Sequence, residues 1–390
     1  MINICLYLHA HQPLRLKNFS LFNVGNVHQD YFDKEENKKY LKRISKKSYL
    51  PANSLFLDLI NKTQNQFKIS FSISGVLLEQ LEENLPQVIK SFQKLSKTKN
   101  CEFITETYYH SLASYFSEEE FKKQVRFQTK KIKQLFSYRP QIFRNTELLY
   151  FNNLAQSIYD LGYKAVLIEG ADRILMGRRS DIIYRAKYVP ELKLILKNYP
   201  LSDDIAFRFS NHDWQEFPLT ADKFLSWIKT SQQKLVNLFM DYETFGEHQW
   251  AETGIFKFFK DFIIKASNDS EIRFVLPSEI IMSETAEEML DIQEPLTWAD
   301  TERDLSAWLG NSLQKETAYS LYALESKIKK TKNSDLLKQW RYLQISDHFY
   351  YMCTKWFSDG DVHKYFNPYN SPYDAYINYM NVLRDLESRL

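Results

Sequence analysis

From Ile2 to Leu276, short runs rich in β-branched and aromatic residues alternate with longer runs in which apolar residues return at helical spacing. The pattern predicts strands over Ile2–Leu8, Phe67–Ile73, Glu102–Thr105, Gln141–Arg144 and Ala165–Ile168. Further strands are expected over Leu192–Leu196, Ile205–Phe209, Val236–Met240 and Ile272–Leu276. Helices are expected over Ser117–Phe136, Asn152–Leu161, Ala221–Leu235 and Ala251–Ser267. The first opens on Ser117 followed by Glu120, a capping box. The last carries Ile255, Phe256, Phe258, Phe259, Phe262 and Ile263 as a core stripe. Such alternation predicts an α/β fold around a mostly parallel sheet, open or closed as a barrel. Beyond Pro295 the β-type runs stop, and Glu316–Lys330 and Ser334–Tyr351 read as helical. Residues 1–292 are therefore expected to form an α/β domain and residues 293–390 a helical subdomain.

Charge removes several function classes. Lys and Arg total 51 against 49 for Asp and Glu, so neither nucleic acid nor an anionic membrane is an expected partner. Cys5, Cys101 and Cys353 lie far apart and match no metal spacing or disulfide framework. The residues after Met1 lack a basic leader and meet His9 and His11 early, and no apolar stretch is long enough for a membrane span. A cytoplasmic location is the expectation. Aromatic residues reach 15%, which suits either ring-rich packing or sugar stacking.

Candidate chemistry gathers where the expected strands end. The first strand runs into His9-Ala10-His11-Gln12-Pro13, and the second is followed by Ser74-Gly75 and Glu79. The third meets Glu106, Tyr108, Tyr109 and His110, the fourth Asn145-Thr146-Glu147 and the fifth Glu169 to Asp172. The run Ile205–Phe209 leads to Asn211, His212 and Asp213, and Val236–Met240 ends at Asp241 and Glu243. The carboxyl edge of α/β sheets and barrels is where ligand chemistry is built. This edge offers carboxylates and histidines, without a glycine-rich phosphate loop or a Gly-x-Ser-x-Gly elbow. Paired carboxylates are the apparatus of glycoside hydrolysis, and Glu147 and Asp241 are the best pair. On the other side, His9 and His11 share one face of a strand and could serve a metal, as could His110 and His212, or could bind sugar hydroxyls.

At these residues the chain resembles glycoside hydrolase family 57, in particular its α-amylase-like branch. The resemblance rests on His11-Gln12-Pro13, Ser74 to Glu79, Phe143 to Leu148, Asp241 to His248, and Thr297 to Gly310. It implies an irregular seven-stranded (β/α) barrel followed by a C-terminal helical subdomain that closes over the cleft. It implies retention of configuration on α-1,4-linked glucan, with no metal and no cofactor. Glu147 would be the nucleophile and Asp241 the general acid/base, while His11, Glu79, Glu243, His248 and Trp298 would contact substrate. Asp304 and Trp308 would line the cleft from the helical side. The chain carries His248 where many relatives have tryptophan. On this reading Glu147 should be ionised, helped by Arg144 or His11, and Asp241 should hold a raised pKa through burial or Glu243. A 4-α-glucanotransferase of the same family and a metal-dependent carbohydrate deacetylase are the alternatives.

Overall fold

The computed structural model describes residues 1–26, 30–355 and 367–390. Its centre is β1 (Ile2–Ala10), buried at eight of nine positions. A strand covered on both faces reads as a continuous apolar run, which is why Ile2–Leu8 was legible as one. β2 (Ile69–Ile73) pairs in parallel with the C-terminal half of β1, and β3 (Cys101–Phe103) with β2. The second sheet holds β4 (Ile142–Arg144), β5 (Ala165–Ile168), β6 (Tyr184–Ala186) and β7 (Val189–Leu196). β8 (Leu235–Asp241) lies on the other side of β1, and β9 (Ile272–Phe274) joins the start of β1. β10 (Glu288–Leu290) extends the second sheet beyond β6.

The orders are β3-β2-β1-β8, with β9 also on β1, and β10-β6-β7-β5-β4. All pairs are parallel except the β6–β7 hairpin, so the fold is α/β with one sheet mixed. The ladders are not continuous, but the sheets touch at two seams. At one, Thr105 bridges Phe143 and accepts the Arg144 N–H at 2.8 Å. At the other, Asn198 N–H donates to the Asn237 carbonyl and the Asn237 amide to the Leu196 carbonyl, both at 2.8 Å.

One expected strand needs correction. Ile205–Phe209 is not a strand; Tyr199–Asp203 is α-helical and continues as a π-turn over Asp204–Arg208. The Arg208–Asp204 ion pair at 2.6 Å, one helical turn apart, favours that winding, while Ile205 still buries itself. The run Ser334–Tyr351 is helical in two pieces, Ser334–Leu343 and Ser346–Tyr350, and between them Ile345 bridges Ser111. The Ser117 cap stands as expected, its side chain accepting Glu120 N–H at the head of Glu118–Phe136. Most rings serve the core: Phe56 meets Phe67, Phe71, Tyr242, Phe245 and Phe259 at centroid distances of 5.5 to 6.4 Å.

The described part of 293–390 contains no strand and carries the helices Ser312–Ala323, Ser334–Leu343 and Pro372–Ser388 among others. One apolar cluster includes Phe143, Leu149 and Val166 together with Trp308, Trp340 and Tyr379, so the expected boundary at 292/293 runs through a shared core. Among the described residues no helix is long and apolar enough to cross a membrane.

Candidate active site

Glu147 follows β4 in a tight turn, Thr146–Leu148, where both Glu147 (φ 58°) and Leu148 (φ 55°) are left-handed. Such a conformation costs a non-glycine residue roughly 1–3 kcal/mol and persists only where surrounding contacts impose it. Here they come from Trp298, whose backbone N–H donates to the Glu147 carbonyl at 3.1 Å and whose indole N–H donates to Oε2 at 2.7 Å. Ser346 donates to Oε1 at 3.5 Å, and His110 Nε2 stands 3.7 Å from the same oxygen.

Asp241 closes β8 directly beside His9, its register partner on β1. The His9 Nδ1 to Asp241 Oδ1 distance is 3.5 Å, and His9 Nε2 faces Glu106 Oε2 at 3.2 Å. Beneath them Arg144 reaches His9 Nε2 at 3.3 Å and Glu106 at 3.6 Å. Exposure separates two levels: the Asp241, Asp347 and Glu147 side chains are 39, 24 and 17% exposed, whereas His9 and Glu106 are at 3 and 0%. The first three carboxylates are open to a solute; the last is floor.

His9, His11 and His110 lie in one stack, with centroids 5.0 Å apart for His9–His110 and 3.9 Å for His11–His110, tilted by 16 to 18°. His11 Nδ1 contacts Ser74 Oγ at 2.6 Å and its Nε2 contacts Asp347 Oδ2 at 3.1 Å. Two groups, His9/Glu106/His110 and His11/His110/Asp347, bring potential metal donors close together. Near-parallel stacked rings aim their in-plane lone pairs side by side rather than at one point. With metal–nitrogen bonds of about 2.0–2.1 Å, an ion shared by two such rings would sit far out of both planes. Arg144 adds a fixed cation against the first group. The histidines as arranged suit hydrogen bonding better than metal ligation.

The charge states differ from expectation. Burial is the main reason Glu147 is pushed up to about 7; Arg144 and the Trp298 hydrogen bond oppose it, and Asp347 and Asp241 reinforce it. Burial also acts to raise Asp241, but the hydrogen bond and charge of His9 outweigh it, and Asp241 lies below the ordinary carboxylate range. The nucleophile candidate thus binds the more tightly held proton, the reverse of the expected order. His9 explains this: burial and Arg144 act to lower it, yet Glu106 and Asp241 drive it up to about 9, while Glu106 falls to about 2. Glu243 is pushed up to about 7 by burial and the neighbouring Asp241, and burial lowers His248.

The other expected contacts divide. Glu243 is buried, accepting from Tyr49 OH and, at 3.2 Å, from the Gln12 amide. His248 follows Gly246 (φ 105°), where any side chain would strike the Lys47 carbonyl, so glycine is required for the turn. Glu79 is held by the hydroxyls of Tyr108 and Tyr342. Asp304 Oδ1 instead accepts Ser306 N–H, capping a local turn. Trp308 corrects the expectation outright: it is 1% exposed and packs in the apolar core near Tyr350, so it cannot line a cleft. Among the described residues, Asp347 and Ser346 also reach the histidines from the helical side, at His11 and His110, and the sequence reading missed both. The one available signal was that a polar Ser-Asp pair interrupts the apolar period of Ser334–Tyr351.

Residues 5–293 match the glycosyl hydrolase family 57. The chain belongs to glycosyl hydrolase family 57. It is therefore a glycoside hydrolase. Family membership is carried further by a candidate α-amylase of Methanocaldococcus jannaschii, 40% identical across 97% of this chain and 82% of that protein. The α-amylase 1 of Dictyoglomus thermophilum is 24% identical over 67% of this chain, which spans only 36% of that longer relative. Among solved structures, a family 57 branching enzyme of Pyrococcus horikoshii is similar in fold, with a TM-score of 0.69 at 15% identity over 93% of this chain and 87% of that one. The 4-α-glucanotransferase of Thermococcus litoralis gives 0.66 at 16% identity, over 89% of this chain and 56% of that one.

Proposed function

We propose that this family 57 member is a retaining α-glycosidase of the α-amylase type, acting on α-1,4-linked glucan through Glu147 as nucleophile and Asp241 as acid/base. One observation carries the reading. Glu147 and Asp241, from the ends of β4 and β8 in different sheets, enter a single network: Trp298 bonds Glu147 at 2.7 Å and meets the His9 ring at 6.1 Å, and His9 faces Asp241 at 3.5 Å. The two seams between the sheets support reading β1, β2, β3, β4, β5, β7 and β8 as one irregular barrel whose carboxyl edge holds both groups.

In this mechanism Asp241 protonates the leaving oxygen while Glu147 attacks the anomeric carbon; water, deprotonated by Asp241, then releases product of the same configuration. Both ring nitrogens of His11 are engaged, by Ser74 and by Asp347, so on this reading the part-exposed Asp347 carboxylate that His11 holds is the group that accepts a sugar hydroxyl. With Glu147 titrating at about 7, kcat/KM should fall as pH drops below that value, because the protonated carboxyl cannot attack. The protonation order by itself would suit the reverse assignment, with Asp241 as nucleophile. Trapping with a fluorinated α-glycosyl donor separates the two, since the label lands on the nucleophile. Labelled Glu147, an α-configured first product by NMR, and loss of about 10³-fold or more in Glu147→Gln are expected. A β-configured product, labelled Asp241, or undiminished turnover in that variant overturns the reading. Product lengths from maltooligosaccharides distinguish hydrolysis from the glucanotransferase alternative, for which relatives of both names exist.

A further inference from the structure

Asp241 poses a problem of supply. An acid catalyst must carry a proton when substrate arrives, yet this carboxylate is held ionised by its neighbour. The neighbour is a buried bridge: His9 presents Nε2 to a sealed carboxylate, Glu106, at 3.2 Å and Nδ1 to the exposed carboxylate of Asp241 at 3.5 Å. The parallel register that pairs His9 with Asp241 fixes the two side by side on adjacent strands. Arg144 stands against both His9 and Glu106, and among the described residues its Nε and Nη2 have no hydrogen-bond partner, so it acts here as a fixed charge.

We propose that His9 is a positioning residue for Asp241, whose Nδ1 delivers a proton to the Asp241 carboxylate before cleavage and takes it back afterwards, with Glu106 anchoring the opposite nitrogen. The proposal rests on the assignment of Asp241 as the acid/base. The Nδ1–H bond breaks and an O–H bond forms at Oδ1, leaving neutral His9 with its hydrogen on Nε2 toward Glu106. Asp241 then gives that proton to the glycosidic oxygen as the C–O bond breaks and Glu147 bonds to the anomeric carbon. In the second step the attacking water yields its proton to Asp241, from which it returns to Nδ1. The relay neither gains nor loses a proton over a turnover. The groups bearing on His9 are Glu106 and the stacked His110 after β3, Arg144 at the end of β4, and Asp241 and Glu243 at and after β8, besides His11 on its own segment.

The test compares pH–rate profiles of wild type, His9→Gln, Glu106→Gln and Asp241→Ala on maltotetraose and on a dinitrophenyl α-maltoside, whose leaving group needs no proton. His9→Gln should lower kcat on maltotetraose by about 10²-fold or more and on the aryl substrate by less than about 10-fold. The alkaline limb should move to lower pH in His9→Gln and, by less, in Glu106→Gln, because the His9–Asp241 pair no longer retains its proton. A merely structural role would scale both profiles without moving a limb. An unmoved alkaline limb in folded variants, or equal losses on the two substrates, overturns the relay. Should His9→Gln fail to fold, Glu106→Gln decides, since its amide oxygen still accepts from Nε2. If Asp241→Ala itself lacks leaving-group dependence, the acid/base reading falls; if Asp241→Ala shows it and the other two do not, only the relay falls.

Discussion

At the scale of single residues, Trp298 is the group on which Glu147 depends. It fixes the backbone carbonyl and the carboxylate of the same residue, and its ring has the Arg144 guanidinium 4.9 Å and the Lys197 ammonium 5.6 Å from its centroid. With two cations near its ring, the indole holds the Glu147 carboxylate in place. Its N–H donates to a carboxylate, an interaction that favours the ionised form by roughly 1.5–3 kcal/mol. Trp298→Phe keeps a ring and removes the donor. Burial would then act on Glu147 with one opposing contact fewer, so its pKa rises further and the acid limb of kcat/KM moves to higher pH. At pH 6 the variant should lose about 10- to 100-fold in kcat/KM, with much of that recovered above pH 8. A loss that is uniform across pH would show that the indole serves substrate binding or packing instead.

At the scale of elements, β3 carries its own pH dependence. Glu102 lies between Cys101 and Phe103 on this strand, is 0% exposed, and accepts Ser278 N–H at 3.0 Å. Burial pushes it up to about 7 against an ordinary value of 4.5. The folded state therefore holds a proton that the unfolded chain has released across that window, and stability falls as pH rises from 4.5 through 7. Glu102→Gln removes the term. Relative to wild type it should gain about 2–3 kcal/mol between pH 4 and pH 8 in denaturant unfolding, with no relative gain below pH 4. The strands themselves were legible because they are apolar runs of limited length bounded by polar clusters. Ile205–Phe209 shared that appearance, and five residues cannot tell a strand from a buried helical turn. β6 and β10 are three residues each and were missed. The site was legible to the extent that it belongs to strand ends: His9, His11, Glu106, His110, Glu147 and Asp241 all stood out there. Asp347 did not, because its role comes from a tertiary approach over 336 residues of separation from His11, which leaves no local trace.

At the scale of the whole molecule, the helical part completes the site rather than merely covering it. It brings Asp347 to His11 and Ser346 to Glu147, and it is fastened to the α/β part through the shared apolar core and through buried ion pairs, Arg303–Glu169 and Arg341–Glu120 among them. Arg341 on Ser334–Leu343 donates from Nε to Glu120 Oε1 at 2.7 Å and from Nη2 to Oε2 at 3.1 Å. Glu120, 0% exposed, sits in the first turn of Glu118–Phe136, and Gln124 links the same carboxylate to Gln344. Removing one partner of such a pair leaves an uncompensated buried charge, whereas replacing both removes the desolvation cost as well. Arg341→Met should therefore lower unfolding stability by about 3–5 kcal/mol, and the double variant Glu120→Gln/Arg341→Met should recover most of it. The pair lies near the break between Ser334–Leu343 and Ser346–Tyr350, the segment that aims Asp347. Arg341→Met should then lose activity at temperatures below its own Tm, in step with loosened amide-exchange protection over residues 344–350. If activity persists until global unfolding, the helical segment holds Asp347 through its apolar contacts alone, and the ion pair contributes stability without tuning the site.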